Sequence, residues 1–89
     1  MADFFSNRFS KDVWITRHAR DSMQNRVIDT ETLEQVIEEG ELQRRDEKNM
    51  WIFKHIDERH DNLICAAVVE ETVVTVKTVM INWELEDKA

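Results

Sequence analysis

The chain has 89 residues, a length that builds one small domain and not two. Hydrophobic residues at 42% and charged residues at 35% supply a core and exclude wholesale disorder; one glycine and no proline exclude collagen, flexible linkers and proline-rich tracts. Twelve Lys and Arg against 19 Asp and Glu leave a net charge of −7, so the surface as a whole is no counterpart to a polyanion.

The first dozen residues, MADFFSNRFSKD, show no period and lack the apolar run of a signal peptide. Residues 1–11 read either as a loose arm or as a first turn of helix docking Phe4, Phe5 and Phe9, and Asp12 to Ile15 as a short extended segment. Nowhere does the chain reach the run of about 18 apolar residues that crosses a bilayer. The lone Cys65 cannot form an intrachain disulfide and sits in an apolar run. These features lead us to expect a cytoplasmic protein without membrane contact.

Thr16 is the expected N-cap of a helix running to about Asn25. Ala19 and Met23 mark its buried stripe, Arg17, Arg20 and Gln24 point away, and His18, Ser22 and Arg26 lie along one shoulder. Asp29 should cap a second helix, with Ile28 set to contact Leu33 as a hydrophobic staple. Leu33, Val36 and Ile37 form its buried face, and Glu31, Glu34 and Glu38 face water. Gly40 stands where a helix ends in a left-handed residue, a conformation that costs glycine least.

Beyond Gly40 the period falls to 2. Glu41 to Arg45 reads as a short edge strand. In Met50 to Asp57, Met50, Ile52 and Ile56 alternate with Trp51, Phe53 and His55. Leu63 to Val69 is apolar on both faces, as a central strand is, and Val73 to Trp83 is β-branched. Short polar connections make neighbouring strands antiparallel. The expected fold is α+β, a single domain over residues 1–89, with two consecutive helices packed on one face of a three- to four-stranded antiparallel sheet. A last strand left unpaired at the edge would allow a homodimer.

Charge is segregated along this plan. Residues 16–26 and 42–54 are each basic by two charges, while residues 27–41 carry −6. The acidic run has a plain reading as a solvated helix face, and the two basic segments leave room for a local anion site.

The stretch ITRHARDSMQNRVIDTETLEQVIEEGE resembles the opening of a small bacterial family, domain of unknown function 4258. The matching positions are His18, Ala19, Met23, Arg26, Ile28, Asp29 and Gly40, and the likeness resumes at VVTVKTVM. Members of that family usually carry Arg where this chain has Ser22 and often Gly where it has Val27. The family is similar in architecture to the RelE/ParE-type toxins and the metal-independent ribonucleases related to them. The resemblance implies a groove where the first helix meets the sheet, and a small antitoxin or RNA as partner.

Metal-independent RNA cleavage needs a group to move protons and cations to hold the phosphorane. Histidine titrates near neutrality, and arginine presents a fixed fork to phosphate oxygens. His18 and Arg26 are therefore the candidate catalytic residues, and Arg17, Lys54 and Lys77 the candidate phosphate ligands, with neither metal nor other cofactor. Each has a simpler reading: His18 bonded to a backbone carbonyl, Arg26 paired with Glu31 or Glu34, Lys77 solubilising an edge strand. His55, Asp57, His60 and Asp61 match no recognised ligand spacing. With one glycine there is no phosphate-cradling loop. The alternative to a toxin or ribonuclease is a non-catalytic protein-binding or regulatory module on the same fold; an acidic mimic of nucleic acid is a third reading.

Overall fold

A computed structural model describes residues 1–84. Its elements in chain order are β1 (Phe4–Ser6), β2 (Lys11–Ile15), α1 (Arg17–Asn25), α2 (Thr30–Glu39), β3 (Glu41–Arg44), β4 (Asn49–Lys54), β5 (Ile64–Glu70) and β6 (Val74–Met80). The α+β class and the consecutive helices are as expected, but the sheet has six strands in the order β1-β2-β6-β5-β4-β3. Its pairs are antiparallel except β2 with β6, which run parallel in the register Val13↔Val74, Trp14↔Thr75, Ile15↔Val76. The expected last edge strand is thus an inner one. The free edges belong to β1 and β3.

Residues 1–11 are no loose arm. Phe4, Phe5 and Ser6 pair with Val13, Asp12 and Lys11, and Phe4 and Phe9 pack on the core. What closes this hairpin comes from α2. The Glu38 carboxylate accepts from the Ser6 hydroxyl and from the main-chain N–H groups of Asn7 (2.7 Å) and Arg8 (3.2 Å). Arg8 in turn donates to the carbonyls of Ile37 (3.1 Å) and Gly40 (2.6 Å), covering the negative end of α2. Glu38, expected in water, is therefore half-buried and bonded, while Glu31 and Glu34 are exposed as expected.

Both helix starts follow the sequence. The Thr16 hydroxyl accepts from the Ala19 N–H at 3.0 Å, and the Asp29 carboxylate from the Thr32 N–H at 2.8 Å. Gly40 ends α2 for a different reason from the one expected. Its φ is −72°, open to any residue; the constraint is space, because a Cβ there would stand 2.4 Å from the Val36 carbonyl oxygen and 2.8 Å from that of Phe53. A left-handed residue follows α1 instead: Val27, at φ 54° in the connection between the helices, one of three with Ser10 and Asn82 among the described residues.

The core lies between the helices and one face of the sheet. It gathers Val13 and Ile15 from β2, Met50 and Ile52 from β4, Ile64, Ala66 and Val68 from β5, and Val74, Val76 and Val79 from β6. Ala19 and Met23 of α1 and Leu33, Val36 and Ile37 of α2 close over them. Because side chains alternate across a strand, the intervening residues form a second face that neither helix covers.

Candidate functional site

The uncovered face is laid out in cross-strand rows. Trp14, Thr75, Val69 and Asn49 stand in one register row, Thr78, Ala67, Trp51 and Gln43 in the next, Met80, Cys65, Phe53 and Glu41 in the third. In the middle row the small Ala67, flanked by Thr78 and Trp51, leaves a depression of about 170 Å³, with Arg45, Asn49 and Lys77 also on its wall. The Arg45 guanidinium lies 5.1 Å from the centre of the Trp51 ring. Trp83 closes one side, stacked on Phe53 at 4.7 Å and edge-on to Trp51 at 5.6 Å. Beneath them Cys65 is fully buried, and burial pushes its thiol up to about 12, so it is inert as a nucleophile.

Lys77 reaches this face through a break in the ladder. Ala67 pairs with Thr78 but the next residue, Val68, pairs with Val76, so Lys77 is the extra residue of a bulge. Its carbonyl accepts from the Thr16 hydroxyl at 3.2 Å. At the same place α1 comes against β6. Ser22 is buried with its hydroxyl 3.3 Å from that of Thr78. The small side chain at position 22 permits this contact. Since residues 18, 22 and 26 follow one line along a helix, the Ser22–Thr78 contact carries that line to the rim of the uncovered face.

His18 and Arg17 on α1 are exposed, and among the described residues neither side chain has a hydrogen-bond or ion-pair partner. Arg26 ends α1 as its C-cap, and its Nε is shut from solvent without a partner. Eight positions separate it from His18, about 12 Å along a helix axis, so the two side chains do not converge on one atom. Arg26 makes no ion pair with Glu31 or Glu34 among the described residues. Lys54 is not brought to this rim. It shares the face of Met50 and Ile52, on the helix side, and pairs with Glu39 at 3.7 Å. The structure therefore joins Ser22 to Thr78, next to Lys77 in β6, and leaves Lys54 on the other side of the sheet.

Arg59 escaped the sequence reading. Its guanidinium holds the Asp61 carboxylate with two bonds of 2.7–2.8 Å and donates to the carbonyls of Arg26 (2.8 Å) and Val27 (2.9 Å). The pairing holds the Asp61 carboxyl below its usual range. It sits in a stretch whose charges read as ordinary turn polarity, and no local pattern signals a partner 32 positions away. His55 lies 3.3 Å from Asp57, both largely exposed, and no group of three or more His, Cys, Asp or Glu gathers as a metal site among the described residues. A larger cleft of about 330 Å³ between Ile15, Met23 and Ile28 is walled by residues already engaged, Arg20 with Asp3 and Asp29 with Thr32. Among the described residues no helix is long and apolar enough to cross a membrane.

No curated protein matches this chain in sequence, and no solved structure matches it. Residues 15–81, from the end of β2 past the end of β6, match the family described as Domain of unknown function (DUF4258). That span takes in α1, the Ser22–Thr78 contact and strands β3 to β6, and the chain belongs to this family.

Proposed function

We propose that the protein acts on single-stranded RNA as a RelE/ParE-like toxin does, binding it across the uncovered sheet face and cleaving it without a metal. The observation that carries this is the Ser22–Thr78 contact, which joins the His18 and Arg26 line of α1 to the strand bearing Lys77. Bases stack on aromatic faces such as the exposed Trp14 and the half-buried Trp51, while Arg45, Lys77 and Arg17 meet phosphates. The net charge of −7 is less adverse than its size suggests, because the exposed Glu31 and Glu34 of α2 lie in the helical layer, behind the sheet.

In this reading the substrate's 2′-hydroxyl oxygen attacks phosphorus and the bond to the 5′-oxygen breaks. The His18 imidazole accepts the 2′-hydroxyl proton and water protonates the leaving oxygen, giving a 2′,3′-cyclic phosphate and a 5′-hydroxyl end. Arg26 holds a flanking phosphate. In cleavage assays on unstructured RNA, His18→Ala should lower the rate by about a hundredfold or more while RNA affinity stays. Lys77→Ala should reduce the slope of log affinity against log salt by about one, and Lys54→Ala, on the far face, should leave it unchanged. Full cleavage by His18→Ala overturns the assignment.

A second reading, a non-catalytic module that binds a protein target or small antitoxin through the same face, is favoured by one observation: no carboxylate or carbonyl orients the His18 ring among the described residues. Harmless expression in a bacterial host, no cleavage and salt-independent binding together select it.

A further inference from the structure

We infer that β3 is a dimerisation edge, joining two copies of this chain into one continuous antiparallel sheet across a two-fold axis at Gln43. β3 is a terminal strand of the sheet, and among the described residues nothing pairs with its outer side. The Arg45 N–H donates to the Asn49 carbonyl at 2.9 Å, so Arg45 points its main chain inward to β4. By the alternation of an antiparallel ladder Gln43 and Glu41 do the same, and the N–H and C=O groups of Leu42 and Arg44 face outward.

Those outward groups restrict the registers open to a second copy. With the axis at Gln43, Leu42 of each copy exchanges main-chain bonds with Arg44 of the other. On the uncovered face the directly opposed pairs become Glu41 with Arg45, twice, and Gln43 with Gln43. Moving the axis to Arg44 sets two arginines against each other, and moving it to Leu42 opposes Glu41 to Gln43, losing both charge pairs. Alternating charges on an edge usually blunt it; here they are complementary to themselves in reverse order.

Two further observations fit this occupant. The Gln43 amide oxygen is shut from solvent with no hydrogen-bond donor among the described residues, a costly state that a turn of the amide toward the axis relieves, since the same amide of the second copy brings a donor. Leu42 is an exposed large apolar residue at 37%, and on the opposite face it meets the aliphatic stem of the second copy's Arg44. The interface is short, so the dimer belongs to the weak, transient class.

Sedimentation equilibrium on the purified chain at up to about 1 mM tests this. The wild type should show concentration-dependent dimerisation. Glu41→Arg and Arg45→Glu should each be monomeric with unchanged far-ultraviolet circular dichroism, because each sets like charges opposite one another. Mixing the two variants restores both pairs, and a one-to-one heterodimer should form. A wild type that stays monomeric, a dimer that persists in both variants, or a mixture that stays monomeric each overturns the proposal.

Discussion

The guanidinium of Arg59 grips the main-chain carbonyl of Val27 at 2.9 Å, fastening the elbow between the helices to a turn of the sheet. Its other bonds go to the Arg26 carbonyl and to Asp61, so one side chain satisfies two carbonyls at the C-terminus of α1.

Replacing Arg59 with Ala should therefore cost roughly 2–3 kcal/mol in chemical denaturation, the range for charge-assisted bonds whose acceptors are left bare. Arg59→Lys should recover only part of this, because an ammonium cannot span the carboxylate and two carbonyls at once.

Val27 pays for the same elbow in its own backbone. A β-branched residue at φ 54° is strained, and its side chain is 82% exposed, so it buries little in return. Val27→Gly should raise stability by about 1 kcal/mol, the opposite of the usual sign for glycine. Thermal unfolding of the two chains reads the difference directly.

Gly40 separates crowding from conformation. If a left-handed cap were the need, Asn would serve; with φ at −72° and two carbonyl oxygens inside 3 Å of any Cβ, it does not. Gly40→Ala and Gly40→Asn should both destabilise by about 3 kcal/mol, as overpacking against rigid backbone does. Urea midpoints of the pair test this.

Asp46 makes the β3–β4 turn sensitive to acid. Its carboxylate accepts from the N–H groups of Asn49 (2.8 Å) and Lys48 (2.9 Å) and from the Asn49 side chain, which hold its pKa at about 2 against an ordinary 3.8. A depressed folded pKa contributes stability above 3.8 that is lost as pH falls toward 2. The gap in urea midpoint between wild type and Asp46→Ala should be constant from neutrality to about pH 4 and shrink below it.

Local signals were legible and distant ones were not. Thr16, Asp29 and the buried faces of both helices declare themselves through caps and a 3.6 period, and the alternation from Met50 to Phe53 assigns Trp51 and Phe53 to the uncovered face. The strand Phe4–Ser6 is three residues long, too short for a period, and its anchor is Glu38 on a helix whose other acids are solvated. The parallel pairing of β2 with β6 depends on residues about 60 positions apart, which no local pattern encodes. For the candidate site, the line of Ser22 on α1 was readable, but its contact with Thr78 lies beside a bulge at Lys77 that composition does not announce.

That parallel pairing also sets the order in which the domain is completed. As the polypeptide leaves the ribosome, Val13 to Ile15 have no neighbour on their inner side until Val74 to Val76 have been made. Until then the nascent sheet carries two raw borders, one on β2 and one on β5, that in the finished molecule are sealed by the same late strand. A synthesis that stalls before Val74 would release a sticky half-product, so β6 acts as the keystone of biogenesis as well as the floor of the site.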